Sequence, residues 1–285
     1  FGNAGTVDIQ SGTFHPTGGG TSTGVFNAEA GATVEFTTTY TFETGTDFTG
    51  AGKSLVTSGT MTLAGSMTSE NLSFHGGTFT GTGAFTAGST WFIDGTGNKF
   101  FDACTLANSG TLAVVGKGSV YFSNGSVINN AGIIDFREDT SFLPNSGAAS
   151  ILNNTGTLRK TVGSPPAKAQ IATGVVFNNA SGGAIEITTG ILGINGGGAS
   201  AGSAAVSAGA ELHFAAGTYT LNSGTTFSGP GLVEVDGGTM DVTGDLAAPL
   251  AFVQSGGIIT GSGTLTVGGA MTWTGGTVQG DGTIA

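Results

Sequence analysis

Apolar and polar positions alternate along nearly the whole chain in short runs. TLAVVG, SVYFSNG, IIDFRED, AIEITTG, AELHFAAG, LVEVDGG, TLTVGG and AMTWTGG are examples, each rich in β-branched or aromatic residues and closed by Gly, Asn or Ser. Runs of about four to eight residues with a period of two predict strands. Glycine at the ends of these runs interrupts every 3.6-residue pattern and supplies tight corners, so no significant helix is predicted. In Ala210–Phe214, Ala210, Leu212 and Phe214 fall on one side, and Glu211 and His213 on the other. Such strands bury one face only.

A motif Asn-x-Gly-x-apolar sets the next level of order. It occurs as NSGTL from Asn108, NNAGII from Asn129, NNTGTL from Asn153 and, one residue longer, NNASGGAI from Asn178, at spacings of 21, 24 and 25 residues. Three short strands and three turns fill one coil of a parallel β-helix in about that length. The fold expected is therefore an all-β parallel β-helix, or β-solenoid, of about 13 coils of 21–25 residues. Asn108, Asn129, Asn130, Asn153, Asn154, Asn178 and Asn179 are its structural corner residues. An asparagine tolerates a left-handed corner, and its amide bonds to the asparagine of the next coil.

A longer period is superimposed. FGNAGTVDIQSG from Phe1 matches FNNASGGAIEITTG from Phe177, and Gly18-Gly19-Gly20 matches Gly196-Gly197-Gly198. AGATVEF matches AGAELHF, YTFETGTDFTGAG matches YTLNSGTTFSGPG, and Trp91 matches Trp273. Residues 1–285 thus read as a single continuous solenoid in which 1–96 matches 177–285, with 97–176 between them. Duplication is cheap where each coil meets only its neighbours. The segment 159–170, RKTVGSPPAKAQ, breaks the rhythm with Pro165 and Pro166 and reads as an inserted loop.

Composition narrows the function. With 55 glycines, 38% hydrophobic residues, and 7 basic against 18 acidic residues, the chain has a core to bury and a net charge of −11. That balance repels phosphate backbones and anionic lipid, so neither nucleic-acid binding nor membrane insertion is expected. The single Cys104 lies in a strand-like run and is expected to be buried. No lysine or arginine follows Lys168, which suits a chain exposed to extracellular proteases.

Candidate chemistry is sparse. GxxxxGK[ST], CxxC and HExxH patterns do not occur, and the three histidines, His15, His75 and His213, lie far apart and read as solvent-facing strand residues. The densest acidic stretch, EVDGGTMDVTGD, offers Glu234, Asp236, Asp241 and Asp245 as a candidate Ca²⁺ site, against the plainer reading of a solvated acidic face. A polysaccharide-binding or polysaccharide-cleaving β-helix would need clustered carboxylates, which are dispersed here. A third reading, an ice- or surface-binding face, follows from Thr-x-Thr in TMT, TFT, TLT, TWT and TYT. Phe1, Val7 and Ile284, in strands that open and close the pattern, are candidate stacking ends for further coils.

The phrases FNNxGTL, AGAxLxF and GGxLTGxGTLTV resemble those of bacterial secreted β-solenoid repeat proteins, the autotransporter passengers and filamentous-haemagglutinin-like proteins. The resemblance covers essentially the whole chain and implies export and display at the cell surface. The function expected is that of a non-enzymatic, extracellular or cell-surface structural or adhesive solenoid, a fibre, stalk or matrix filament. No cofactor is expected. Its partners would be further copies stacked head to tail, neighbouring repeats of a longer chain, or surface glycans.

Overall fold

The computed structural model describes residues 1–86 and 88–285. It is all β, with no helix among the described residues, and its parallel strands stack as a β-solenoid of about 13 turns. Two compact units divide the chain: Phe1–Ile134 with Asn145–Ser150, and Asp135–Pro144 with Ile151–Ala285.

In the first unit one sheet stacks Gly20–Ser22, Tyr40–Glu43, Thr60–Ala64 and the first half of Gly77–Phe85. A second stacks Thr6–Ile9, Val25–Ala28 and Asp47–Thr49. A third stacks Thr33–Phe36, Lys53–Val56, Leu72–Phe74 and Thr90–Ile93. The second unit repeats the scheme, with Ile191–Ile194, Glu211–Phe214, Leu232–Val235 and Ala251–Gln254 in one sheet. Gly198–Ser200, Thr218–Leu221 and Thr239–Val242 form a separate stack within that sheet, and Thr157–Lys160, Ala184–Ile187 and Ser203–Val206 stack in another sheet. Register partners lie 18 residues apart at the shortest, as in Thr60 and Thr78. They lie 29 apart at Phe142 and Ile171, so coil length varies more than the asparagine spacing predicts.

Alternation carries the core. Ala210, Leu212 and Phe214 are buried inside the coil, opposite Glu211 and His213. Because parallel strands stack in register, like side chains meet like: Phe79, Phe101 and Phe122 form one column with neighbouring ring centroids 6.2 and 5.2 Å apart. Phe26 stacks on Phe48 at 5.7 Å. Each such pair adds about 0.5–1.5 kcal/mol beyond the area it buries. Tyr40 enters the core because its hydroxyl donates to the Thr21 carbonyl at 3.0 Å. Cys104 is buried as expected, and desolvation pushes its thiol up to about 12. The repeat-matched tryptophans differ: Trp91 is fully buried and Trp273 is exposed.

Two expectations need correction. The inserted loop is shorter than 159–170, because Thr157–Lys160 and Lys168–Ile171 are strands and only 161–167 lie between them. Lys160 in particular is wholly buried, its Nζ 2.7 Å from Asp139 Oδ1 and donating to the carbonyls of Val162 and Glu138. The corner asparagines are not left-handed either. Asn108, Asn130, Asn154 and Asn179 end strands, and among the described residues the non-glycine positions with positive φ are Ala103 at 46° and Asn124 at 52°.

Candidate functional site

The asparagines fall into two sets by strand parity. Asn108, Asn130, Asn154 and Asn179 point inward and are buried. In the first unit Asn108 Nδ2 donates to Asn130 Oδ1 at 2.7 Å, and in the second Asn154 Nδ2 donates to Asn179 Oδ1 at 2.8 Å. The same amides cap backbone carbonyls at the corner, Asn108 reaching Gly110 and Ile133, and Asn154 reaching Gly156 and Ala184. Buried amides need such partners, since an unpaired one costs about 1–3 kcal/mol. Asn129, Asn153 and Asn178 face outward, and Asn178 Nδ2 donates to Asn153 Oδ1 at 3.0 Å. Asn3, in the Asn-x-Gly run NAGTV, donates to Ser22, and Asn179 donates to Ser200, so serine extends the inward type of contact without an Asn-x-Gly signature. These ladders are structural.

The acidic residues do not converge as a set of four. Asp241 lies in a different stack of register-paired strands from Glu234 and accepts from Thr220 Oγ1 at 3.4 Å, and Asp245 Oδ1 accepts from the Thr264 amide at 2.9 Å. Glu234 and Asp236 instead gather around a histidine. Strand register sets His213 opposite Glu234, and alternation puts Glu211 on the same side as His213. His213 Nε2 lies 2.7 Å from Glu211 Oε2 and 3.2 Å from Glu234 Oε2, and Nδ1 lies 3.9 Å from Asp236 Oδ2. Ser255 Oγ, one coil on, donates to the other Glu234 oxygen.

These side chains cover the imidazole, so the expected solvent-facing histidine is only 8% exposed although its strand position points outward. Its Nδ1 is buried and has no hydrogen-bond partner. Glu211 was not among the sequence candidates. The signal lay in two matching parities, ELHF and LVEV, set 21 residues apart. His15 and His75 each meet one carboxylate, Glu35 and Asp94, both at 3.5 Å.

A second outward group sits in the first unit. Phe100 and Tyr121 are register partners, half-buried, with rings stacked 5.2 Å apart at 15°. Beside them Asn124 Nδ2 donates to Asp102 Oδ1 at 2.6 Å. Of the stacking-end candidates, Phe1 is exposed and packs edge-on against Phe14 at 5.2 Å, while Val7 and Ile284 are partly covered. Comparison with protein-family models, with curated proteins and with solved structures finds no match for the chain.

Proposed function

We propose that the protein is a non-enzymatic structural or adhesive solenoid of the cell exterior, a stalk, fibre or matrix element. The observation that carries the reading is the parallel ladder itself: within each unit, coil after coil is bonded to its neighbours along three stacks of parallel strands. A ladder of this kind resists extension and tolerates added coils, because no coil depends on distant contacts. Few cleavable basic residues and a Gly/Thr/Ser surface suit display outside the cell, and the resemblance to exported bacterial solenoids supports the same setting. Met271, Trp273 and Val278 expose apolar surface that further coils, of this chain or another copy, would cover.

One observation favours a glycan-binding version of this role. The flat, half-exposed pair of Phe100 and Tyr121, flanked by the Asp102–Asn124 pair, offers a sugar ring an apolar face and hydrogen-bonding partners. The threonine reading has a smaller basis. Thr21, Thr41, Thr62 and Thr80 form one column, and only Thr60 and Thr78 stand beside it in register. In the second unit the corresponding column is interrupted by Asp241, between Thr220 and Thr260.

The test is incubation of the purified chain with soluble acidic and neutral polysaccharides. Product release and native-gel mobility are followed, with negative-stain microscopy of the same samples. The expected result is no release, with unbranched extended particles. Retardation that Tyr121→Ala abolishes would support the glycan-binding version. Product release that scales with protein concentration would overturn the proposal.

A further inference from the structure

We propose that Glu211, His213 and Glu234 bind one divalent transition-metal ion of the zinc class, with Asp236 orienting the imidazole. One donor atom from each of the three residues lies within 4.8 Å of the others. They stand on two adjacent strands, Glu211–Phe214 and Leu232–Val235, whose register is set by backbone pairing. The donors therefore share a rigid outward face rather than a loop.

The buried imidazole gives the second, independent indication. A neutral histidine carries one ring proton. With the proton on Nε2, the bare Nδ1 lone pair faces Asp236. With the proton on Nδ1, the bare Nε2 lone pair faces both Glu211 and Glu234. Either tautomer sets a lone pair against carboxylate. An imidazolium would still leave Nδ1 3.9 Å from Asp236, beyond hydrogen-bond reach. A cation on Nε2 resolves the conflict: it takes that lone pair and one oxygen from each glutamate, while the Nδ1 proton turns toward Asp236. Metal-bound histidines commonly pair their second nitrogen with a carboxylate in this way.

Charge and donor chemistry agree. Three carboxylates surround one imidazole, and the lysine nearest in this strand column, Lys168, lies two coils from Glu211 with Ile191 between them. Imidazole with carboxylates suits zinc and its neighbours, whereas calcium seeks six to eight oxygens. Donor atoms around a tetrahedral zinc ion are about 3.4 Å apart, given bonds of about 2.0–2.1 Å. The 3.2 Å from Nε2 to Glu234 is close to that, and Glu211, at 2.7 Å and partly exposed, has only to withdraw by about 0.7 Å. The Ser255 hydroxyl steadies the second Glu234 oxygen, leaving the first free to ligate. Such an ion would tie two coils together.

The experiment is calorimetric titration of the metal-free chain with ZnCl₂ at neutral pH, with CaCl₂ as competitor and ¹⁵N spectra of the histidine rings. One Zn²⁺ per chain is expected, undisplaced by excess Ca²⁺ and accompanied by a shift of His213 Nε2. His213→Gln and Glu234→Gln should weaken binding more than tenfold with the circular dichroism unchanged. Asp236→Asn should weaken it about tenfold at unaltered stoichiometry, and His75→Gln should leave it alone. Absence of stoichiometric uptake, or His213→Gln binding as tightly as the parent, would overturn the proposal. An unshifted His213 ring in the zinc-loaded parent would do so even if the variants failed to fold.

Discussion

Replacing Asp135 by alanine is expected to destabilise the protein by about 2–4 kcal/mol at neutral pH, read as a lower midpoint in urea unfolding. Asp135 belongs to the strand Ile133–Phe136, and its side chain is 1% exposed. It points out of the coil yet is roofed by Arg137 and Arg159, whose Nε and Nη2 donate to Oδ2 at 2.8 and 2.9 Å. Thr161 Oγ1 donates to Oδ1 at 2.9 Å. Alanine removes three hydrogen bonds, two of them from charged donors, and leaves Arg159 Nη2 without its carboxylate. The two arginines are 39% and 31% exposed and can turn toward water, which holds the cost below that of a fully buried pair. Asparagine keeps the shape and an acceptor for Thr161, so Asp135→Asn should cost about half as much.

The same carboxylate gives the prediction a pH signature. Burial pushes its pKa up, but the hydrogen bonds from Arg159, Arg137 and Thr161 and the charge of Arg159 outweigh burial and hold it below the ordinary 3.8. A carboxyl whose folded pKa is depressed contributes its stability in full above the unfolded value of about 3.9 and loses it as pH falls through the folded value. The difference in unfolding free energy between the parent and Asp135→Asn should therefore be the same at pH 7 and pH 5.5. Below about pH 4 it should shrink. A difference that stayed constant down to pH 2 would mean that Asp135 acts through shape and not through charge.

Asp135 also marks where sequence reading stops. Strand existence and facing followed from local alternation, as Ala210–Phe214 illustrates, because parity is a property of consecutive residues. Contacts between coils are a different matter. Asp135 meets Arg159 at a separation of 24 residues, and His213 meets Glu234 at 21. A coil length that varies from 18 to 29 gives no fixed offset from which to find such partners. Density along the chain misled for the same reason: EVDGGTMDVTGD turns a corner, so Asp241 and Asp245 leave the face that holds Glu234 and Asp236. The recurrent asparagines marked the coil period correctly, but the reason for them is the inward amide bond and not a left-handed backbone. Lys160, read as part of an inserted loop, is buried because Asp139 lies within its reach.

The largest loss is expected from Gly198→Ala, at least about 4 kcal/mol, with Gly209→Ala as its control. Both glycines have positive φ, 125° and 73°. A methyl group on Gly209 would meet nothing within 4 Å, so that substitution carries the left-handed backbone penalty alone, about 1–2 kcal/mol. On Gly198 it would sit 2.0 Å from the Phe177 carbonyl oxygen, closer than real Cβ contacts come. Relief requires moving one coil against the next by about 1 Å in a ladder spaced at about 4.8 Å. The bond from the Phe177 amide to the Gly197 carbonyl would go with it. Gly198 also stands in register between Phe177 and Tyr219, whose rings stack 6.3 Å apart at 6° across the gap left by its missing side chain. Gly20 occupies the matching place in the first repeat, with φ of 146°, Tyr40 as its register partner and a Cβ that would fall 1.8 Å from the Phe1 carbonyl oxygen. The Tyr40 hydroxyl reaches past Gly20 to that same oxygen at 3.2 Å. The third glycine of each Gly-Gly-Gly run is thus held by the aromatic neighbours it separates. Urea unfolding in which Gly198→Ala and Gly209→Ala lost stability equally would show that backbone conformation alone, and not this contact between coils, selects glycine there.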